Sequence, residues 1–156
     1  MLKILAALST LTAGLMSMPA VAQQDEEMSG SKLFLQLSNL RNRQGQFCIS
    51  VFADEKGFPA DGLKAVYSKC HLASELNEPV EIEIPGLQPG SYALAMFHDE
   101  NSDKQLNTGT FGIPLEGFGF SNNPKILFSA PKFAECSFTV NESRQTVLQV
   151  RANYFL

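Results

Sequence analysis

The chain has 156 residues, of which 44% are hydrophobic and 18% charged, and its formal net charge at pH 7 is −4. A mildly acidic chain is a poor candidate for binding nucleic acid or anionic membrane surfaces, because both favour basic patches. The length suits one domain with one modest hydrophobic core.

Residues 1–22 have the three parts of a cleavable secretory signal. Lys3 supplies a positive charge, an apolar run follows over residues 4–18, and Ala20 and Ala22 are the small residues before Gln23. The run is shorter than the about 20 residues that a membrane span needs. We therefore expect export and no transmembrane segment after cleavage, the alternative being a retained N-terminal anchor. Removing 22 residues from 156 leaves 134.

Residues 23–31 are polar and acidic, which predicts a flexible leader before a single domain over residues 32–156. Residues 33–37 and 46–52 each form a short strand pattern, separated by turn-forming residues. In the second strand Phe47, Ile49 and Val51 share one face. We interpret the two strands as a hairpin.

One short helix is predicted between residues 59 and 70. Leu63, Val66, Tyr67 and Cys70 recur at helical spacing along this stretch, which indicates one apolar helix face.

Strand patterns dominate the rest of the chain. Residues 80–84 alternate apolar and acidic side chains, typical of a half-buried strand, and a Pro- and Gly-rich turn follows. Residues 91–97 form the most apolar strand, which we expect to be central. Apolar runs at 125–128, 136–140 and 146–155 end the domain.

About seven short strands with no alternation of strand and helix predict an all-β fold, a single antiparallel sandwich. Three cysteines lie in the domain: Cys48, Cys70 and Cys136. Export favours one oxidised pair, and three thiols allow three different single bridges, so the residues alone leave the pairing open.

Three segments, residues 86–93, 98–101 and 112–123, resemble the DUF2141 family of exported bacterial proteins, whose function is unknown. The similarity extends from about residue 33 to the C terminus. It implies an Ig-like or prealbumin-like β-sandwich and no particular activity. It also implies a disulfide between Cys48 and Cys70, with Cys136 free and buried.

The loop after the predicted central strand is a candidate Ca²⁺ site. Oxygen-bearing side chains stand at every second position, as in Ca²⁺ loops that use positions 1, 3, 5, 7 and 9. Lys104 stands where such loops need Gly, and Thr110 where they need Glu. The alternative is a polar turn that hydrogen-bonds its own backbone. The five candidate ligands are Asp99, Asn101, Asp103, Gln105 and Asn107.

His98 and Glu116 are the candidate catalytic pair of a hydrolase, because a His near carboxylates can act as a general base or a metal ligand. No recognised catalytic spacing accompanies them. The alternative is a structural His that satisfies buried polar groups. The candidate ligand surface of this loop region consists of His98, Asp99, Asn101, Glu116, Ser121 and Asn122.

Phe111, Phe118 and Phe120 either plug the end of the sandwich, which we expect, or form an exposed binding patch. The sequence as a whole predicts a non-catalytic binding or structural module of the cell envelope, with an envelope protein or a glycan as partner and no cofactor. The alternatives are a Ca²⁺-stabilised adhesion-like module and a hydrolase.

Overall fold

The computed structural model describes residues 31–127, 129–142 and 144–155. The predicted signal lies outside these residues, and of the predicted leader only Ser31 lies within them. No helix in the described ranges is long and apolar enough to span a bilayer. The described residues form eight strands: β1 Lys32–Ser38, β2 Gln46–Phe52, β3 Tyr67–Leu72, β4 Val80–Ile84, β5 Gly90–Asp99, β6 Gly117–Phe120, β7 Ser137–Val140 and β8 Gln145–Arg151.

The strands form two sheets packed as a sandwich, which confirms the predicted fold class. The smaller sheet has the order β4-β1-β8, and the larger one has the order β3-β2-β5-β6, with β7 also paired to β5. All pairings are antiparallel except β1 with β8, which run parallel. A wholly antiparallel sandwich was expected, so this pair is a correction. The alternation of apolar and polar residues shows which face of a strand is buried, but it does not show whether the neighbouring strand runs parallel or antiparallel to it.

The core between the sheets follows the alternation of the strands. In β4 the three apolar side chains are buried and the two glutamates between them are exposed. In β2 the face that carries Ile49 packs into the core. In β5, the predicted central strand, Leu94 and Met96 face the same core, while β2 pairs along one edge and β6 and β7 along the other.

The predicted hairpin of the first two strands is wrong. β1 lies in the three-stranded sheet and β2 in the five-stranded sheet, so the turn between them crosses the sandwich. Both strands bury an apolar face in the same core, which is what their patterns required. A pattern of this kind is equally compatible with a strand beside its neighbour and a strand opposite it.

The predicted helix near residues 60–70 is also wrong. A single 3-10 turn covers Gly62–Lys64, and β3 begins at Tyr67. Leu63 and Val66, which were expected on a buried helix face, are largely exposed. The stretch instead supplies an edge strand to β2, in which Cys70 lies opposite Cys48. A four-residue α-helix, α1, covers Phe133–Cys136, and the described residues 125–127 form no strand.

The cysteines agree with the implied pairing. Cys48 and Cys70 form a disulfide across β2 and β3, with their Cα atoms 3.9 Å apart. Cys136 is free and buried at the end of α1. Burial raises the pKa of its thiol to about 11, which leaves it protonated and unreactive near neutral pH.

Candidate functional site

Asp99 ends β5 and its side chain is fully buried. The carboxylate accepts hydrogen bonds from the Gln46 side-chain amide at 2.7 Å, from the Lys104 backbone N–H at 2.7 Å and from the Asp103 backbone N–H at 3.1 Å. These donors fold the following loop back onto the strand end. The buried Asp99 carboxylate therefore holds the loop backbone at residues 103 and 104 and does not face solvent.

Glu116 holds the same loop from its other side. One carboxylate oxygen accepts from the Glu100 backbone N–H at 3.0 Å, and the other accepts from the Asn107 backbone N–H at 2.9 Å. The side chain is buried just before β6. Glu116 thus joins the two ends of residues 100–107 through two charge-assisted bonds.

His98 is fully buried with both ring nitrogens engaged. Nε2 donates to the Gln44 backbone carbonyl at 2.8 Å, and Nδ1 lies 2.9 Å from the Tyr154 hydroxyl. The ring packs against Phe47 with centroids 4.6 Å apart. Burial is the main cause that raises the pKa of Tyr154, which keeps its hydroxyl protonated. This geometry is that of a structural histidine fixed between two parts of the chain.

The structure does not join His98 to Glu116 as an acid and base pair, since each uses its polar atoms on other partners. The carboxylate that comes to 3.5 Å from His98 Nδ1 is Glu100. Arg41 binds Glu100 through two bonds of 2.7 and 2.9 Å and lies over the Tyr154 ring. Mainly through this contact, Arg41 lowers the pKa of Glu100.

Sequence reasoning missed Arg41, Glu100 and Tyr154 as members of this cluster. Arg41 lies 59 positions from Glu100 and 113 from Tyr154 along the chain. No motif links positions this far apart. The fold brings them together because β6 pairs with β5 on one side and with the C-terminal segment at Asn153 on the other.

Three of the five candidate Ca²⁺ ligands converge. The Asn101 and Asn107 amides each donate to one Asp103 carboxylate oxygen at 3.0 Å, and Gln105 contributes its backbone N–H to the other oxygen at 2.8 Å. The Asn107 amide is the main cause that lowers the pKa of Asp103. Within the described ranges no group of three or more His, Cys, Asp or Glu could hold a metal ion. Internal donors thus occupy these carboxylates, and Ca²⁺ binding stays a prediction.

Ser121 and Asn122 lie at the end of β6 and anchor it to the segment around α1. The Ser121 hydroxyl accepts from the Leu94 N–H at 2.9 Å and donates to the Cys136 carbonyl, and the Asn122 amide donates to the Ser137 carbonyl at 2.8 Å. Four of the six residues expected on a ligand surface are buried, namely His98, Asp99, Glu116 and Ser121. Asn101 and Asn122 are the exposed ones.

An open apolar groove of about 1300 Å³ lies on the outer face of the five-stranded sheet, the face turned away from the other sheet. The Cys48–Cys70 disulfide, Ser50, Ser68 and Phe97 line its floor. The loop at 104–114 forms one wall, residues 126, 127, 129 and 130 form another, and Phe155 also lines the groove. We call this feature the outer-face groove.

The three phenylalanines of the predicted plug divide between two environments. Phe118 and Phe120 are buried in a second apolar cluster under the outer face, with Phe52 and Cys136. Phe111 is 96% exposed and lines the outer-face groove. The expected plug therefore exists on the outer face, not at an end of the sandwich, and it does not include Phe111.

Phe111 also has a strained backbone. Its φ is +61°, in the left-handed region that costs a bulky residue about 1–2 kcal/mol. Its side chain gains almost no burial to offset this cost. Uncompensated strain at an exposed aromatic residue is a pointer to function.

The outer-face groove offers a ligand few unused polar groups. The Ser50 and Ser68 hydroxyls bond one another at 3.1 Å, and the Gln46 amide is engaged by Asp99. The charged residues that line the groove are Lys69 and Lys104, and no His, Asp or Glu of the described chain lines it. The described lining is therefore mainly apolar, with two lysines as its charged residues.

A family model described as an uncharacterized protein conserved in bacteria (DUF2141) matches residues 35–148. The chain belongs to the DUF2141 family. The match begins in β1 and ends in β8, and it includes the disulfide, the loop of residues 100–107, which we call the polar loop, and most of the groove. No curated protein and no solved structure matches the chain.

Proposed function

We propose that this DUF2141 protein is a non-catalytic binding module of the bacterial envelope, periplasmic or secreted, and that it binds its partner in the outer-face groove. The predicted signal over residues 1–22 supports export. The Cys48–Cys70 disulfide fits the same compartment, because disulfides persist in oxidising environments.

The contrast between the groove and the polar loop carries the proposal. The candidate catalytic and ligand residues His98, Asp99 and Glu116 use their side-chain polar atoms in hydrogen bonds within the protein. The groove instead exposes Phe111, Leu106 and Ile113 along one wall. A concave apolar surface of this kind marks a binding site, since soluble proteins rarely leave large apolar patches unused.

The same contrast disfavours the hydrolase alternative, since Glu116 and His98 are buried and committed elsewhere. It also makes an apolar partner a better fit than a glycan. A glycan presents hydroxyls that need partners, and the floor hydroxyls of Ser50 and Ser68 already satisfy each other.

The Ca²⁺-stabilised module is the second candidate, because Asn101, Asp103 and Asn107 do converge. Calorimetric titration of the purified protein with Ca²⁺ tests it. We expect no heat at millimolar ion, because amide donors already surround the Asp103 carboxylate. Saturable heat that Asp103→Asn abolishes would restore the Ca²⁺ hypothesis.

Binding of N-phenyl-1-naphthylamine, an uncharged dye that fluoresces in apolar surroundings, tests the groove. We expect saturable binding to the wild type and several-fold weaker binding to Phe111→Ser. Val147→Ser is the matched control, because Val147 is exposed on β8 in the other sheet. Absence of dye binding, or equal loss in both variants, would contradict the proposed function.

A further inference from the structure

We propose that the ligand of the outer-face groove is a fatty acid of medium to long chain, with its acyl chain along the floor and its carboxylate at Lys104. This inference rests on the proposed function. It adds the chemical class of the ligand and the residue that recognises its charged end.

The floor of the groove favours an acyl chain over a peptide. β2 and β5 carry most of the floor, and each is hydrogen-bonded along both edges, so neither offers a free ladder to an incoming strand. A peptide lying over β2 and β5, away from the edge strand β3, would bury N–H and C=O groups without partners, at a cost in free energy. An acyl chain has no such groups, and it matches the walls formed by Leu106, Ile113 and Leu127.

The charges at the groove favour an anionic ligand. The chain has 16 acidic residues, yet none of the described ones lines the groove. Lys69 also lines the groove, but it lies opposite the core residue Ile49 in the ladder, so its exposed side chain leaves β3 on the other side of the sheet from Ser68 and Cys70. Lys104 is exposed, and its ammonium makes no ion pair with any described residue. It is thus the cation available to a carboxylate at the groove wall.

The size of the groove fits a long chain. Its volume of about 1300 Å³ exceeds the roughly 300–1,000 Å³ of pockets that enclose drug-sized ligands. Apolar side chains from separate parts of the chain line it, among them Phe111, Leu127 and Phe155. A compact ligand would leave part of this surface uncovered, whereas each added methylene of an acyl chain covers more of it.

The test is displacement of N-phenyl-1-naphthylamine from the whole purified protein by octanoic, decanoic and dodecanoic acids, each below its micelle concentration. We expect the Kd to fall by about fourfold per added methylene, the factor that burial of one CH₂ group supplies. Dodecanol should bind more weakly than dodecanoic acid to the wild type.

Lys104→Gln should raise the Kd of dodecanoic acid about two- to fivefold, which is the range that the loss of an exposed ion pair gives. The Kd values of dodecanol and of the dye, which are uncharged, should not change. Lys32→Gln, which lies on β1 in the other sheet, is the matched control and should change nothing.

Three results would overturn the inference. The first is that the dye binds in the groove while the acids fail to displace it, or displace it without chain-length dependence. In either case the fatty-acid proposal is wrong and the proposed function stands. Displacement by an apolar hexapeptide in place of the acids would assign a peptide ligand. Failure of the dye itself, in contrast, rejects the groove and both proposals.

Discussion

The two faces of the five-stranded sheet are covered in different ways. The inner face packs against the three-stranded sheet, and Ile49, Val51 and Leu94 are completely buried there. The outer face is covered only by connecting segments, which bury Phe118 and Phe120 but leave a groove beside them. The same strands thus carry a closed core on one side and a half-open surface on the other. The main core and the proposed binding groove thus lie on opposite faces of one sheet.

The largest expected effect separates the two faces at adjacent positions of β2. Ile49→Ala removes a fully buried side chain from the inner face and should lower the free energy of unfolding by about 2–5 kcal/mol. Ser50→Ala on the outer face removes one hydroxyl pair with Ser68 and should cost about 1 kcal/mol or less. Equilibrium denaturant unfolding followed by circular dichroism measures both. Equal losses would mean that the outer face is as tightly closed as the inner one.

A second prediction concerns the polar loop. Internal hydrogen bonds hold this loop closed, whereas the outer-face groove is open. Glu116→Gln replaces one accepting oxygen with an NH₂ group that faces a backbone N–H, either that of Glu100 or that of Asn107. The free energy of unfolding should fall by about 1–3 kcal/mol. Glu83→Gln, on the exposed side of β4, is the control and should stay within about 0.5 kcal/mol of wild type. A neutral Glu116→Gln would show that the loop does not depend on this carboxylate.

A third prediction uses pH to test the ion pair beside His98. Arg41 holds the pKa of Glu100 below its usual range, so the folded state favours the charged carboxylate. The resulting stability is complete above the unfolded pKa of about 4.3 and is lost as the pH falls through the lower folded pKa. For this partly exposed pair we expect about 1 kcal/mol or less.

Thermal unfolding between neutral and acidic pH measures this effect. Glu100→Gln should show a smaller loss of Tm on acidification than the wild type, because its side chain does not titrate. Asp103, whose pKa is also lowered, titrates in both proteins and so cancels in the comparison. Parallel Tm profiles for the two proteins would show that the Arg41 contact contributes no net stability.

The inner face could be predicted from sequence, and the outer face largely could not. Alternation located the buried side of β4, because a strand with one wet face must repeat every second residue, and it located the core-facing side of β2. β3 was missed because Leu63 to Cys70 also fits a helical period, and its strand state depends on pairing with β2 and on the disulfide. β6 was missed because Gly117-Phe118-Gly119-Phe120 has the composition of a loop.

The candidate site was predicted in its residues but not in its orientation. Composition identified Asp99 and Glu116 as important loop residues, yet it gave no indication that their carboxylates turn inward to backbone N–H groups. The exposure of Phe111 was equally invisible, because its neighbours Phe118 and Phe120 have the same residue type and the opposite environment. Local sequence records what a side chain can do, while long-range packing decides which way it faces.

The smallest expected effect has the opposite sign from the others. Phe111→Gly relieves a φ of +61° at a residue whose side chain is 96% exposed, so little packing is lost. We expect the free energy of unfolding to stay level or to rise by up to about 1 kcal/mol, while dye binding in the groove falls. Leu63→Gly is the matched control, because Leu63 is 98% exposed but has no left-handed backbone to relieve. It should lose about 0.5–1 kcal/mol and keep dye binding. If Phe111→Gly were strongly destabilising, Phe111 would be a packing residue, and the outer face would be a second closed core with no binding groove.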